Sequence, residues 1–381
     1  MKIAFDAKRA AQNRTGLGNY SRFILHNLFQ YGASDNKYIL YVPDSHKMSL
    51  LKDFINIPAF TIYTPKLLWK KFKSLWRVWG IPYYLGKQGI DIYHGLSNEL
   101  PLNIHKAHNI KSIVTIHDLI FLHYPQYYKP IDRIIYNYKF RKACENADRI
   151  IAVSECTKRD IIKFYHIQPD KIDVIYQGCS NTFNVTLPQA AKELVLNRYN
   201  ITYPYVLSVG SIEERKNLLL LAKALKGLPV KIHVVAIGKS TPYAKIIETY
   251  IRKENLQDRF HIINNVSFED LPAIYQSASV FVYPSRYEGF GIPMLEAIRS
   301  EVPAIGCKGS CLEEAGGPLS IYVSPDDPKE LADMICRVIN SNDLRNKMIE
   351  GSKQYAEKFN DSKLYSDLMN TYKKTLGNVS L

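Results

Sequence analysis

Short, nearly continuous apolar runs rich in β-branched residues alternate with helical stretches along almost the whole of this 381-residue chain. Lys2–Asp6, Tyr38–Val42, Ser112–Ile116, Arg149–Val153 and Lys171–Ile175 read as strands in the first half. Tyr205–Val209, Lys231–Ile237, Phe260–Ile263, Val280–Tyr283, Ala304–Gly306 and Ile321–Val323 continue the series in the second. Between them, Tyr20–Phe29, Lys129–Asn146, Leu218–Lys226, Ala244–Glu254 and Lys329–Asn340 carry helical periodicity. Strands without inside–outside alternation are buried on both faces, so the pattern predicts α/β architecture with helix-covered parallel sheets. The length is too great for one core, so two such units in tandem are expected, with a ligand in the cleft between them at strand C-terminal ends. Gly178–Tyr205, rich in Asn, Thr and Pro, is the expected joint. The helical pattern from Ser352 onward either finishes the second unit or crosses back to the first.

Composition narrows the class. Hydrophobic residues make up 46% and charged residues 23%, which excludes disordered and fibrous chains. No run approaches the roughly 18 apolar residues of a membrane span, and Asp6 comes too early for a secretory signal. Six cysteines without a C-x-x-C pair point to reduced thiols in a cytoplasm. Of the net charge of +14, residues 1–190 hold +12 and residues 191–381 hold +2. A basic first half suits an anionic partner, although a lysine-rich proteome would give the same imbalance. No zinc-finger, basic-zipper or aromatic–basic RNA motif accompanies the charge, so nucleic acid is not expected.

The segment Val280–Ala297 carries the strongest chemistry. A strand ends at Pro284, a loop holds Glu288, Gly289, Phe290 and Gly291, and a helix opens near Pro293 with Glu296 one turn inside. Glycines at a helix N-terminus make a phosphate site. Carboxylates beside it suit a ligand that also offers vicinal hydroxyls, since one carboxylate accepts two hydrogen bonds from a diol. Phosphates between two polyhydroxylated rings describe a nucleotide sugar. Taken singly, Glu296 could merely favour the helix dipole and Glu288 could be a solvated turn residue.

Gly210-Ser211 follows the strand Tyr205–Val209, and Arg215-Lys216-Asn217 precedes a leucine-rich helix. Arg215 can fork onto phosphate oxygens while Lys216 adds a point charge. Gly16 and Gly18 follow the first strand, but Ser21 stands where a dinucleotide fingerprint needs glycine; a backbone turn approaching a ligand is expected instead. His117 ends a strand where it could hold a sugar hydroxyl, and His94 is similarly placed, on the acceptor side. No metal-binding spacing occurs, so neither a metal nor a cofactor is expected beyond the nucleotide sugar as co-substrate. All three tryptophans fall in 67–79, where Leu68, Phe72, Leu75, Trp76 and Trp79 share one helical face with lysines flanking it. That stripe suits either an anionic membrane surface or packing on the chain's own sheet.

Glu288 to Glu296 forms an E-x7-E motif, and with Gly210-Ser211 and Arg215-Lys216-Asn217 it resembles the retaining glycosyltransferases of family four. The resemblance covers nearly the whole chain and implies the GT-B fold. By it, residues 1–185 with a crossing helix at 355–381 bind the acceptor, and 200–354 bind the nucleotide sugar. It implies that Glu288 holds the transferred sugar, Glu296 the ribose, and Arg215, Lys216 and the N–H groups of Phe290 and Gly291 the diphosphate. The Gly16–Gly18 loop would close over the phosphates, His117 would lie by the sugar, and Val266 would sit in the base-binding loop. Arg299-Ser300-Glu301 departs from the small residue and glycine that relatives often show, which should affect packing more than chemistry. The opening Asp6-Ala7-Lys8-Arg9 looks most like mannosyltransferases of surface polysaccharide assembly. The implied donor is GDP-mannose, the acceptor a saccharide that is lipid-linked, and the location the cytoplasmic membrane's inner face. An epimerase on the same scaffold and a nicotinamide oxidoreductase are the alternatives.

Overall fold

The computed structural model describes residues 1–32 and 35–377. The chain divides into two compact units, residues 1–177 with 359–381 and residues 178–358. The first holds β1 (Lys2–Asp6), β2 (Lys37–Tyr41), β3 (Phe60–Tyr63), β4 (Ile92–Gly95), β5 (Lys111–Ile116), β6 (Arg149–Ala152) and β7 (Ile172–Val174). They form one parallel sheet in the order β3-β2-β1-β4-β5-β6-β7. The second unit holds β8 (Tyr205–Val209), β9 (His233–Ile237), β10 (Phe260–Ile263), β11 (Val280–Tyr283), β12 (Ala304–Cys307) and β13 (Ile321–Val323). Its parallel order is β10-β9-β8-β11-β12-β13. Both are Rossmann-like, and each reverses its winding at one point: beside β1 and β4 in the first, beside β8 and β11 in the second. Ligands of such sheets bind at the strand C-terminal ends at that reversal, where the loops diverge to opposite faces.

Two strands lie beyond those expected. β3 is a four-residue edge strand with little pattern to read. β4 reads Ile-Tyr-His-Gly, and its histidine obscures a run whose four residues are all buried. His94 is tolerated there because both ring nitrogens are hydrogen-bonded, Nδ1 with Tyr372 Oη at 2.8 Å and Nε2 with Thr115 Oγ1 at 2.9 Å. Tyr372 lies on the last helix, Asp361–Thr375, which belongs to the first unit. Lys374 Nζ of the same helix bonds Asp173 Oδ1 of β7 at 3.1 Å.

Three local expectations are corrected. The stretch 178–205 is not a bare joint: it belongs to the second unit and contains the helix Gln189–Arg198, whose apolar residues are too scattered for periodicity to reveal it. Gly16 and Gly18 do not form a loop but open the helix Gly16–Gly32, where Gly18 lets the Asn13 carbonyl pack within 1.8 Å of where a Cβ would stand. Residues 67–79 are not one helix but a 3-10 turn (Leu67–Lys70), a short α-turn (Lys73–Leu75) and a π-turn (Trp76–Gly80). Breaking the period sends Trp76 into the core and leaves Leu67, Leu68, Phe72, Leu75 and Trp79 exposed. No described helix is long and apolar enough to cross a membrane.

Candidate active site

The second unit gathers its charged side chains at the β8–β11 reversal. β8 ends at Val209 and runs through Gly210 and half-buried Ser211 to a 3-10 turn, Glu214–Lys216, that presents Arg215 and Lys216. β11 ends at Tyr283, and the following loop brings Glu288 back against that turn. Glu288 Oε1 accepts from Lys216 Nζ at 2.5 Å, Arg215 Nη1 at 2.8 Å, Ser285 Oγ at 2.6 Å and Tyr283 Oη at 3.1 Å. Glu288 Oε2 has no hydrogen-bond partner among the described residues. Burial alone would raise the Glu288 carboxyl; the Lys216 and Arg215 charges and the hydrogen bonds outweigh it and hold the group at about 2. Lys216, half-buried, packs its ammonium over the Tyr283 ring at 5.0 Å. Arg215 Nη1 further donates to the Tyr287 carbonyl, and its own carbonyl accepts from the Arg286 N–H, which locks the two loops together. Glu213, its side chain nearly half exposed, stands 3.8 Å from Arg215 Nη2, so the two cations face one buried carboxylate and one open to solvent.

Gly291 caps the helix Ile292–Arg299 at φ 105°, a conformation that favours glycine, and a Cβ would approach Leu312 Cδ2 to 2.7 Å. Pro293 is the second helical residue, where its missing N–H leaves no hydrogen bond unmade. The N-terminal turn adds partial positive charge at the same strand ends. Gly289 and Glu296 are half-buried there, and Phe290 is buried. Tyr275 Oη donates to Glu296 Oε2 at 2.9 Å, yet burial prevails and raises that carboxyl to about 7. The loop after β10 carries Asn264, whose Oδ1 accepts from Ser240 N and Oγ at 3.0 Å each, and half-buried Val266.

His117 directly follows the first unit's β5. Its Nε2 donates to the Leu96 carbonyl at 2.9 Å, its Nδ1 accepts from Gln177 Nε2 at 3.3 Å, and the Tyr20 ring meets it edge-on at 4.6 Å. Burial lowers it to about 4, so the ring is neutral at pH 7. The expectation that His94 touches an acceptor is corrected, because its side chain is fully buried and ties the last helix to the sheet. Sequence reasoning overlooked Tyr283, Ser285 and Tyr275, whose hydroxyls steady the two glutamates; only their position beside the motif could have flagged them. Among the described residues no group of three or more His, Cys, Asp or Glu gathers as a metal site would.

The Glycosyltransferase Family 4 model matches residues 26–181, and the Glycosyl transferases group 1 model matches residues 196–355. The chain is a glycosyltransferase, and its first unit carries the family 4 match. The transferase is 26% identical to O-antigen chain mannosyltransferase B of Escherichia coli, over 98% of its own length and 100% of that protein. It is 27% identical to the O-antigen chain mannosyltransferase RfbU of Salmonella typhimurium over 57% of each chain. Among solved structures, a glycosyltransferase from Rickettsia africae matches with a TM-score of 0.78, 19% identity and 99% of both chains covered. Anabaena Alr3699/HepE in complex with UDP and glucose matches at 0.75 with 18% identity, over 98% of this chain and all of that one. The fold is GT-B, and the oxidoreductase alternative falls away.

Proposed function

We propose that this transferase moves mannose from GDP-mannose, with retention, onto a saccharide acceptor that is lipid-linked, in surface polysaccharide synthesis. The observation that carries the donor half is the Arg215–Lys216–Glu288 cluster beside the helix beginning at Ile292, where two cations and a helix N-terminus meet strand C-terminal ends. A departing diphosphate gains most from fixed charge of this kind, because the cations and N–H groups need no reorganisation as negative charge develops. Glu288 Oε2 and Glu296 are left for hydroxyls of the transferred sugar and the ribose. Transfer then passes through an oxocarbenium-like state, with the acceptor attacking from the face the diphosphate leaves. The similarity to O-antigen chain mannosyltransferases supports mannose. The acceptor's lipid is supported by the basic first half and by the apolar residues exposed at 67–79.

The test is product analysis with GDP-, UDP- and ADP-sugars and a panel of octyl glycosides. GDP-mannose should give an α-linked product, with turnover unaffected by EDTA, since the diphosphate's charge is met by side chains. Arg215→Ala should lower kcat by about two to three orders of magnitude, the effect of losing one charged donor at a developing anion. Wild-type turnover in that variant would remove Arg215 from the mechanism, and free epimerised donor without product would favour the epimerase.

A further inference from the structure

The first unit carries a charge cluster at its own reversal point. Asp6 is the last residue of β1, and Glu99 lies four residues beyond the end of β4, the neighbouring strand. Arg77, from the π-turn, bridges them: Nε donates to Asp6 Oδ2 at 2.6 Å and Nη1 to Glu99 Oε2 at 2.6 Å. Lys139 Nζ stands 3.7 Å from the same Glu99 oxygen. Arg77 and Asp6 are buried, whereas the Glu99 side chain keeps 17% of its surface exposed. Glu99 Oε1 has no hydrogen-bond partner among the described residues. Behind the cluster, the fully buried Tyr93 hydroxyl of β4 also lacks a partner among them.

The two reversal points therefore share a plan. Each sets a glutamate with one oxygen saturated by cations and the other unused. In the second unit Arg215 and Lys216 meet Glu288, with Glu213 3.8 Å from Arg215. In the first, Arg77 and Lys139 face Asp6 and Glu99, so the ion-paired groups balance; Lys8, the neighbouring cation, pairs with neither carboxylate among the described residues. A carboxylate oxygen that the cluster's cations leave unused can accept from a hydroxyl donor, and its fixed orientation gives that hydroxyl a charge-assisted hydrogen bond.

We propose that Glu99, aligned by Arg77, is an acceptor-binding residue that takes a sugar hydroxyl of the saccharide acceptor. This rests on the glycosyl-transfer reading above. Arg77 is a positioning residue: held by Asp6, it fixes the Glu99 carboxylate so that Oε1 rather than Oε2 meets the ligand.

The experiment uses the full chain, GDP-mannose and the octyl glycoside of highest turnover, and follows both transfer and the slow release of mannose to water. Glu99→Gln, which keeps the shape but replaces the carboxylate by a weaker acceptor, should raise the acceptor KM about tenfold, the weight of a charge-assisted hydrogen bond. Donor KM and release to water should stay at wild-type values, which also reports an intact fold. Glu99→Asp should recover part of the acceptor affinity. An unchanged acceptor KM in Glu99→Gln overturns the proposal while leaving glycosyl transfer standing. Transfer to no glycoside, with donor still hydrolysed, counts against a saccharide acceptor and against the proposal with it. Failure of the wild type to bind or hydrolyse any sugar nucleotide would instead sink the parent reading.

Discussion

Glu288 and Glu296 lie two helical turns apart in sequence and in opposite electrostatic surroundings. Cations hold Glu288 at about 2, so its contribution to stability is present above the ordinary carboxylate range and is lost as pH falls through that value. Glu296 has only the Tyr275 hydroxyl, and burial raises it to about 7. Its ionised form is the disfavoured one in the free protein, so the stability it lends is present in acid and is lost as pH rises toward neutrality and past it. A ribose diol needs that ionised form as its acceptor. Donor affinity should therefore rise about tenfold between pH 6 and 8, the titration expected for a group centred near 7. Glu296→Gln should abolish the slope, as measured by isothermal titration at several pH values. The E-x7-E spacing made both residues legible in the sequence. Their opposite protonation was not, because it depends on Arg215 and Lys216, some 70 residues upstream, and on Tyr275 from another helix.

At the scale of elements, the departure at Arg299-Ser300-Glu301 acquires a physical reading. Glu301 sits at φ 59°, the left-handed region where glycine carries no Cβ penalty, and Arg299 is buried with Nη1 on the Cys179 carbonyl at 3.1 Å. Glu301→Gly should raise unfolding stability by about 0.5–1 kcal/mol, since relieved backbone strain outweighs the loss of flexible-chain entropy and of an exposed ion pair to Lys353. Urea denaturation would read it. The last helix offers the converse case. Tyr372→Phe leaves His94 Nδ1 buried without its partner and should cost about 1–3 kcal/mol in the same measurement. Eleven strands were legible as apolar runs, because central parallel strands are buried on both faces. β4 was not, because a histidine inside a strand is acceptable only when distant residues, here Tyr372 and Thr115, complete its hydrogen bonds.

Over the whole molecule, the uneven charge and the apolar residues at 67–79 belong to the same unit. The sequence offered one amphipathic stripe with two readings, and the broken helix divides them: Trp76 serves the core, while Leu67, Leu68, Phe72, Leu75 and Trp79 face outward. Basic charge with exposed apolar side chains suits an anionic bilayer surface. Vesicle co-sedimentation should increase with the fraction of anionic lipid and fall as salt is raised toward 1 M, where the screening length shrinks to about 3 Å. Equal binding to neutral vesicles would contradict the electrostatic part of that account.

All of these expectations depend on where the donor's diphosphate rests. A crystal structure with GDP-mannose is the direct measurement. It should find the phosphates within hydrogen-bond reach of Arg215, Lys216 and the helix start at Gly291, the ribose on Glu296 and the mannose on Glu288. A diphosphate bound away from that helix start, with Arg215 and Lys216 still paired only to Glu288, would contradict the account.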